Sequence, residues 1–188
     1  ALADRLTGLR DDPALLADRV ALRARLAALR EAIEAAPLEP GFEAALLARL
    51  AADFPGQAVR FRSSTNAEDL SGFNGAGLYE SKTGDPSDPQ RSVQDAVRRV
   101  WASVYGDRAF EERAWYGIEQ RRIGMALLVH RSFPEEDANG VAITANVFDP
   151  AGLEPAFYVN VQAGDVSVVL PPAGTRSDQL LDYYLQPG

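Results

Sequence analysis

The sequence predicts an α+β chain, and three observations carry that reading. The first 54 residues place apolar side chains at helical spacing, the period switches to two at Ala58, and apolar or alternating runs crowd the stretch after Gly124. Helices that precede a mainly sheet-bearing half argue for segregated layers and a mainly antiparallel sheet. On this reading residues 1–57 form a helical segment. Residues 58–188 form a strand-rich core that packs with it as one structural unit.

Each element has its own local reason. Asp12-Pro13 reads as a helix start, since a carboxylate can accept from the free amides and proline suits the first turn. Leu15, Leu22, Leu26, Leu29 and Ile33 then fall on one stripe. Pro37 and Pro40 end that helix. Phe42, Leu46, Leu50 and Phe54 mark a shorter one, closed by Pro55-Gly56. From Ala58 to Arg62 the alternation puts Val59 and Phe61 on one face of a strand and Arg60 and Arg62 on the other. A polar, glycine-punctuated loop follows from Ser63 to Gly77, then a short strand within Leu78–Thr83. Asp85 to Pro89 leads into a helix in which Val93, Val97, Trp101 and Val104 share a face. Gly106 interrupts it, and Asp107 to Tyr116 continues as a second short helix. Trp101, Trp115 and Tyr116 sit at helical spacing and are expected in the core. Gly124 to Arg131 reads as a strand buried on both faces. Strands are expected at Gly140–Val147, Ala156–Gln162 and Val166–Leu170, with a helix over Ser177–Leu185. Glu135 to Asp137 read as a solvated hairpin turn closed by Asn139-Gly140.

Composition excludes several functions. The chain has 188 residues, 46% hydrophobic and 24% charged, enough to bury a core without a staple. It has no cysteine, which removes disulfide frameworks, cysteine zinc sites and thiol catalysis. Its single histidine, His130, removes multi-histidine metal centres. The net charge of −8 has the wrong sign for non-specific binding to nucleic acid or an anionic membrane. No apolar run approaches a membrane span, and the first residues lack the pattern of a signal peptide. A soluble, cytoplasmic chain is the expectation. Lys82 is the only lysine among 19 basic residues, so lysine chemistry must use it or come from outside the chain.

The densest chemistry lies in Arg62-Ser63-Ser64-Thr65-Asn66-Ala67-Glu68-Asp69-Leu70, followed by Phe73-Asn74-Gly75-Ala76-Gly77. A strand ends by delivering an arginine, and hydroxyl and amide side chains follow at once. Gly72, Gly75 and Gly77 allow the backbone to approach a ligand. Guanidinium, hydroxyls and free amides are what phosphate oxygens accept from. Glu68 and Asp69 could hold the arginine or assist a metal. From the residues alone this is a phosphate site or an ordinary polar loop. It is neither a Walker loop nor a dinucleotide-binding fingerprint.

The stretch VRFRSSTNAEDLSGFNGAGLYES resembles the signature of the ATP-binding domain of phosphoenolpyruvate synthase and pyruvate phosphate dikinase. That family carries a strand, Arg-Ser-Ser, a short gap, Ala-Glu-Asp-Leu and a Phe-x-Gly loop. Val100 to Tyr105 with Arg108-Ala109 is similar to its Trp-Ala-Ser-aromatic helix. Met125 to His130 resembles the buried strand that ends at its adenine hinge. Gly140 to Thr144 resembles its Gly-Val-x-Phe-Thr strand, and Tyr158 to Asp165 the segment that ends in Gly-Glu. The resemblance covers residues 58 to 165.

It implies an ATP-grasp fold, two α+β lobes holding ATP between them, and an incomplete one here. Arg62 would contact the transferring phosphates as the catalytic residue. Ser63, Ser64, Glu68, Asp69, Gly75, His130 and Thr144 would contact ATP. In the family, ATP phosphorylates a histidine on a separate domain, which passes the group to pyruvate on another. The family's ATP-binding lysine should precede residue 1, and its magnesium-binding Glu and Gln lie in a later segment. No metal ligand is therefore assigned in this chain, although the full-length enzyme should use Mg2+. Position 79, a threonine in many members, is tyrosine, and position 130, usually a hinge glutamine, is histidine. The isolated chain is expected to be inactive. The alternatives are a non-catalytic nucleotide-binding or structural module, and a related dikinase with another acceptor.

Overall fold

Asp18 splits what the apolar stripe reads as one helix. The computed structural model describes residues 13–75, 77–133, 136–164, 168 and 173–183. In it α1 (Pro13–Ala17) is followed by α2 (Arg19–Ala35), and the Asp18 carboxylate accepts from the Val20 and Ala21 amides. That acceptor satisfies two of the free N–H groups that every helix start exposes. Asp12, the expected cap, lies outside the described residues. Glu39 caps α3 (Pro40–Asp53) in the same way through the amides of Gly41 and Phe42.

The chain divides into two compact units between Ser132 and Phe133. In the first unit, β1 (Val59–Thr65) is followed along the chain by β2 (Asp69–Leu70), β3 (Phe73–Asn74) and β4 (Lys82–Gly84). β2 pairs with β3, while β4 and the later β5 (Met125–Arg131) flank β1 on either side, all antiparallel. Between them run α4 (Val93–Ala102) and α5 (Asp107–Trp115), joined by a short 3-10 turn at Ser103–Tyr105. Val59 and Phe61 pack under this sheet with Leu38, Leu50, Val93, Ala96, Val97 and Val100. Leu22, Leu26 and Leu29 of α2 close a second cluster against Phe110. Both clusters follow the helical spacing read from the sequence.

Four expectations about this unit change. β5 is not buried on both faces, because the helices cover only one side of the sheet; Leu128 on the other side is 58% exposed. Trp101 is half-buried against the core, but Trp115 is 86% exposed and Tyr116 is also exposed. Both follow the buried Arg113 at the C-terminal end of α5, where the helix runs out into solvent. The short strand expected within Leu78–Thr83 forms later, at Lys82–Gly84. β1 does not end at Arg62, because Ser63, Ser64 and Thr65 continue the ladder opposite Leu127, Ala126 and Met125.

In the second unit, β6 (Ala138–Ile143), β7 (Phe157–Ala163) and β8 (Asp178–Asp182) form one antiparallel sheet with β7 in the centre. The helix expected over 177–185 is therefore a strand over Asp178–Asp182. Its Leu180-Leu181 pair suits either period, and pairing to β7 decides it. Asn139-Gly140 lies inside β6 rather than in a turn. The strand expected over 140–147 stops at Ile143, and that expected over 166–170 falls almost wholly outside the described residues. All strand pairing among the described residues is antiparallel, and the chain is α+β. Among the described residues no helix is long and apolar enough to cross a membrane.

Candidate functional site

β1 positions the site by simple alternation. Val59 and Phe61 are fully buried, so their neighbours Arg60 and Arg62 must point to the opposite, uncovered face. Cross-strand pairing then assembles that face row by row. Thr83, Arg60 and His130 stand opposite one another; Arg62 stands opposite Leu128; Ser64 stands opposite Ala126. Arg60 Nη1 donates to Thr83 Oγ1 at 3.2 Å. Arg62 is exposed, and among the described residues its side chain makes no hydrogen bond or ion pair. It is thus an exposed guanidinium held by the middle of a strand.

The serines separate. Ser64 shares the face of Arg62, whereas Ser63 is half-buried on the side of Phe61. Beyond Thr65 the chain turns through Asn66 and Ala67 into the β2–β3 hairpin. Asn66 is stapled on both ends of its amide: Nδ2 donates to the Arg122 carbonyl at 2.7 Å, and Oδ1 accepts from the Gly124 amide at 2.9 Å. The Ala67 amide donates to Thr65 Oγ1 at 3.2 Å. Glu68 is half-buried, and its carbonyl accepts from the Gly75 amide at 2.7 Å. Asp69 pairs with Asn74 across the hairpin. Gly75 is buried where a side chain has no room. A Cβ there would lie 3.0 Å from both the Ala67 carbonyl oxygen and the Glu68 Cα, so the glycine closes the hairpin on itself.

His130 is half-buried on the open face, with Nδ1 2.7 Å from the Arg131 carbonyl oxygen. A carbonyl can only accept, so Nδ1 carries the proton in that contact. Lys82 pairs with Glu80 at 2.7 Å and faces the same side as Phe61. Thr144 follows the end of β6 and is exposed, in the second unit. The first unit therefore brings Arg62, Ser64 and His130 onto one sheet face and sets Glu68, Asp69 and Gly75 in the loop that follows. Among the described residues no three His, Cys, Asp or Glu side chains converge as a metal site.

Comparison with known proteins gives the family of the chain. The family model described as "Pyruvate phosphate dikinase, AMP/ATP-binding domain" matches residues 7–170. The chain belongs to that family. Among curated relatives, a rifampicin phosphotransferase from Streptomyces sp is 31% identical over 129 residues, covering 69% of this chain and 15% of its own length. A second rifampicin phosphotransferase, from Streptomyces sviceus, is 29% identical over 130 residues, with 69% and 14% covered. The chain spans about one seventh of the length of these relatives.

Within this dikinase-family domain, the sequence reading passed over one group that the structure makes prominent. Arg113 is fully buried. Its Nη2 donates to the Val104 carbonyl at 2.6 Å, its Nε to Gln120 Oε1 at 2.9 Å and its Nη1 to Tyr79 Oη at 3.2 Å. No local signal marks it: an arginine between glutamate and alanine on a helix reads as surface, and this chain is rich in arginine. Arg60 was legible, since the alternation that exposes Arg62 exposes it too.

Proposed function

We propose that this chain is the ATP-binding portion of a phosphoenolpyruvate-synthase-like phosphotransferase, with an ATP-grasp-like nucleotide-binding domain. The observation that carries it is the match of the dikinase AMP/ATP-binding family to residues 7–170, with Arg62 on the open face of β1 within the stretch that resembles the family signature. Phosphoryl transfer depends on positioning and on neutralising charge, more than on covalent chemistry by the protein. A planar guanidinium can span two phosphate oxygens, and a strand centre holds it with little freedom to lose. Arg62 acts here as the catalytic residue toward the transferring phosphates. Ser64 adds a hydroxyl donor on the same face. Ser63, Glu68, Asp69 and Gly75 shape the loop that accompanies it, and His130 borders the adenine. Thr144 is assigned to the nucleotide on the resemblance of its strand alone.

The rest of the reading concerns the longer protein. ATP would phosphorylate a histidine on a phosphoryl-carrier domain, which delivers the group to pyruvate on a further domain. Mg2+ belongs to the full-length enzyme; the described residues offer no cluster that fits it, and no step here is routed through it. The location is cytoplasmic, and neither nucleic acid nor membrane is a partner. The helical segment 1–57 and the strand-rich 58–188 serve this one purpose together, and the chain alone is inactive.

A second reading has a specific observation in its favour. The two relatives named above are rifampicin phosphotransferases, which favours a compound of that kind as the acceptor instead of pyruvate. Assaying ATP consumption by the full-length protein with pyruvate and with rifampicin separates the two. Stimulation by pyruvate supports the first reading and stimulation by rifampicin alone supports the second. A full-length protein that neither binds nor consumes ATP is a non-catalytic module.

A further inference from the structure

We infer that Arg113, acting through Tyr79, is a positioning residue for the turn that carries the proposed phosphate loop. The inference rests on the reading of Arg62 and its loop given above. A fully buried guanidinium is ordinarily balanced by a carboxylate. Among the described residues Arg113 has none: its acceptors are the Val104 carbonyl, the Gln120 side chain and the Tyr79 hydroxyl. The Tyr79 ring lies under the same guanidinium, 5.8 Å from centroid to Cζ, a cation–π distance. Burying a charge without a counter-ion costs stability, and even a buried ion pair is often replaced by apolar side chains of similar volume at no loss. Stability alone is therefore a weak reason for an arginine at this point.

What the arginine does is join segments. Val104 lies in the 3-10 turn that follows α4, and Gln120 is held in turn by its Nε2 donating to the Phe110 carbonyl at 3.1 Å. Tyr79 Oη accepts from Arg113 and donates to the Ala67 carbonyl at 3.2 Å, so one hydroxyl uses both its capacities. Ala67, with Asn66, makes the turn between β1 and Glu68. The preceding residue, Asn66, is stapled to Arg122 and Gly124. The segment 120–124 and the buried arginine thus grip the turn from two adjacent points. Of these links only the Arg113–Tyr79–Ala67 relay reaches the turn from the helical layer. The consequence is that the loop following Arg62 is set before any ligand arrives. That is how misplacement by about an ångström, costly in catalysis, is avoided.

Tyr79→Phe tests this without emptying the core, because the ring and the other two Arg113 bonds remain. In this chain, hydrogen exchange should accelerate over residues 66–75 and stay unchanged over Val93–Ala102. In the full-length enzyme turnover should fall by about tenfold or more, with KM for ATP within about twofold. Arg113→Lys, which keeps the charge but loses the fork, should reproduce that split. Arg62→Lys is run beside them. If it loses turnover while Tyr79→Phe retains it, the positioning inference is overturned and the reading of Arg62 stands. If Arg62→Lys is also unimpaired, that reading falls and this inference with it. Unchanged exchange over 66–75, with activity lost only as melting temperature drops, would make the relay purely structural and overturn the inference.

Discussion

A glycine at position 84 lets the sheet come down onto the helix. A Cβ there would stand 2.8 Å from Phe61 Cε2 and 3.1 Å from the Val93 Cα. The first neighbour is a packed ring and the second is backbone, so neither can give way cheaply. Gly84→Ala should therefore destabilise the chain by about 1–3 kcal/mol, as overpacking of a filled core does. Thermal unfolding of the variant, compared with wild type, checks it; an unchanged melting temperature would mean that the packing of β4 on α4 is loose enough to take a methyl group. At this scale the sequence was legible wherever alternation or spacing decides: Val59, Phe61, Arg60 and Arg62 all stand on the faces assigned to them. It was silent where a side chain reaches across the fold. Arg113 and Tyr79 are 34 residues apart, and their contact exists only once the helical layer and the loop have met.

Single helices show how capping couples structure to pH. Ser92 caps α4, its hydroxyl accepting from the Asp95 amide at 3.1 Å, the S-x-x-acid pattern of a helix start. The Arg98 guanidinium bonded to Asp95, and then the Ser92 hydroxyl, hold the Asp95 carboxyl below the usual carboxylate range. Hydrogen bonds from Ser87 do the same for Asp85 just before the helix, and the amides of Gly41 and Phe42 for Glu39 at the start of α3. A carboxyl whose pKa is lower folded than unfolded adds stability above its unfolded value, near 3.8 for Asp95. That stability is lost as pH falls through the lower folded value. Melting temperature should accordingly be flat through neutrality and fall below about pH 4. Asp95→Asn should melt lower at pH 7 and show a shallower acid limb, measured by circular dichroism across pH. Elements were legible to different degrees for a related reason. The helices of the first unit announce themselves by apolar spacing, and β1 by its alternation. β8 does not, since Asp-Gln-Leu-Leu-Asp fits a helix as well as a strand until β7 supplies its partner. The break at Asp18 hid inside an otherwise continuous stripe, because a capping aspartate looks like any polar residue on the solvent side.

Over the whole molecule, an acidic chain presents two arginines side by side on one uncovered sheet face. With a net charge of −8, the proposed function requires local donors, not the overall field, to draw a phosphate to it. Membership of the dikinase AMP/ATP-binding family fits such a face, and the claim that matters is that Arg62 acts on the phosphoryl group in flight. Arg62→Lys in the full-length enzyme tests it most directly, with turnover, ATP affinity and melting temperature read on the same preparation. The charge remains, but the planar fork is lost. Turnover should fall on the order of a hundredfold or more, as it does when a preorganised donor is removed. ATP affinity should fall less, since the contact is worth most at the transition state. Melting temperature should hardly move, because the Arg62 side chain is exposed and makes no bond among the described residues. Normal turnover in that variant would contradict the catalytic role, as would an activity loss that only follows a drop in melting temperature.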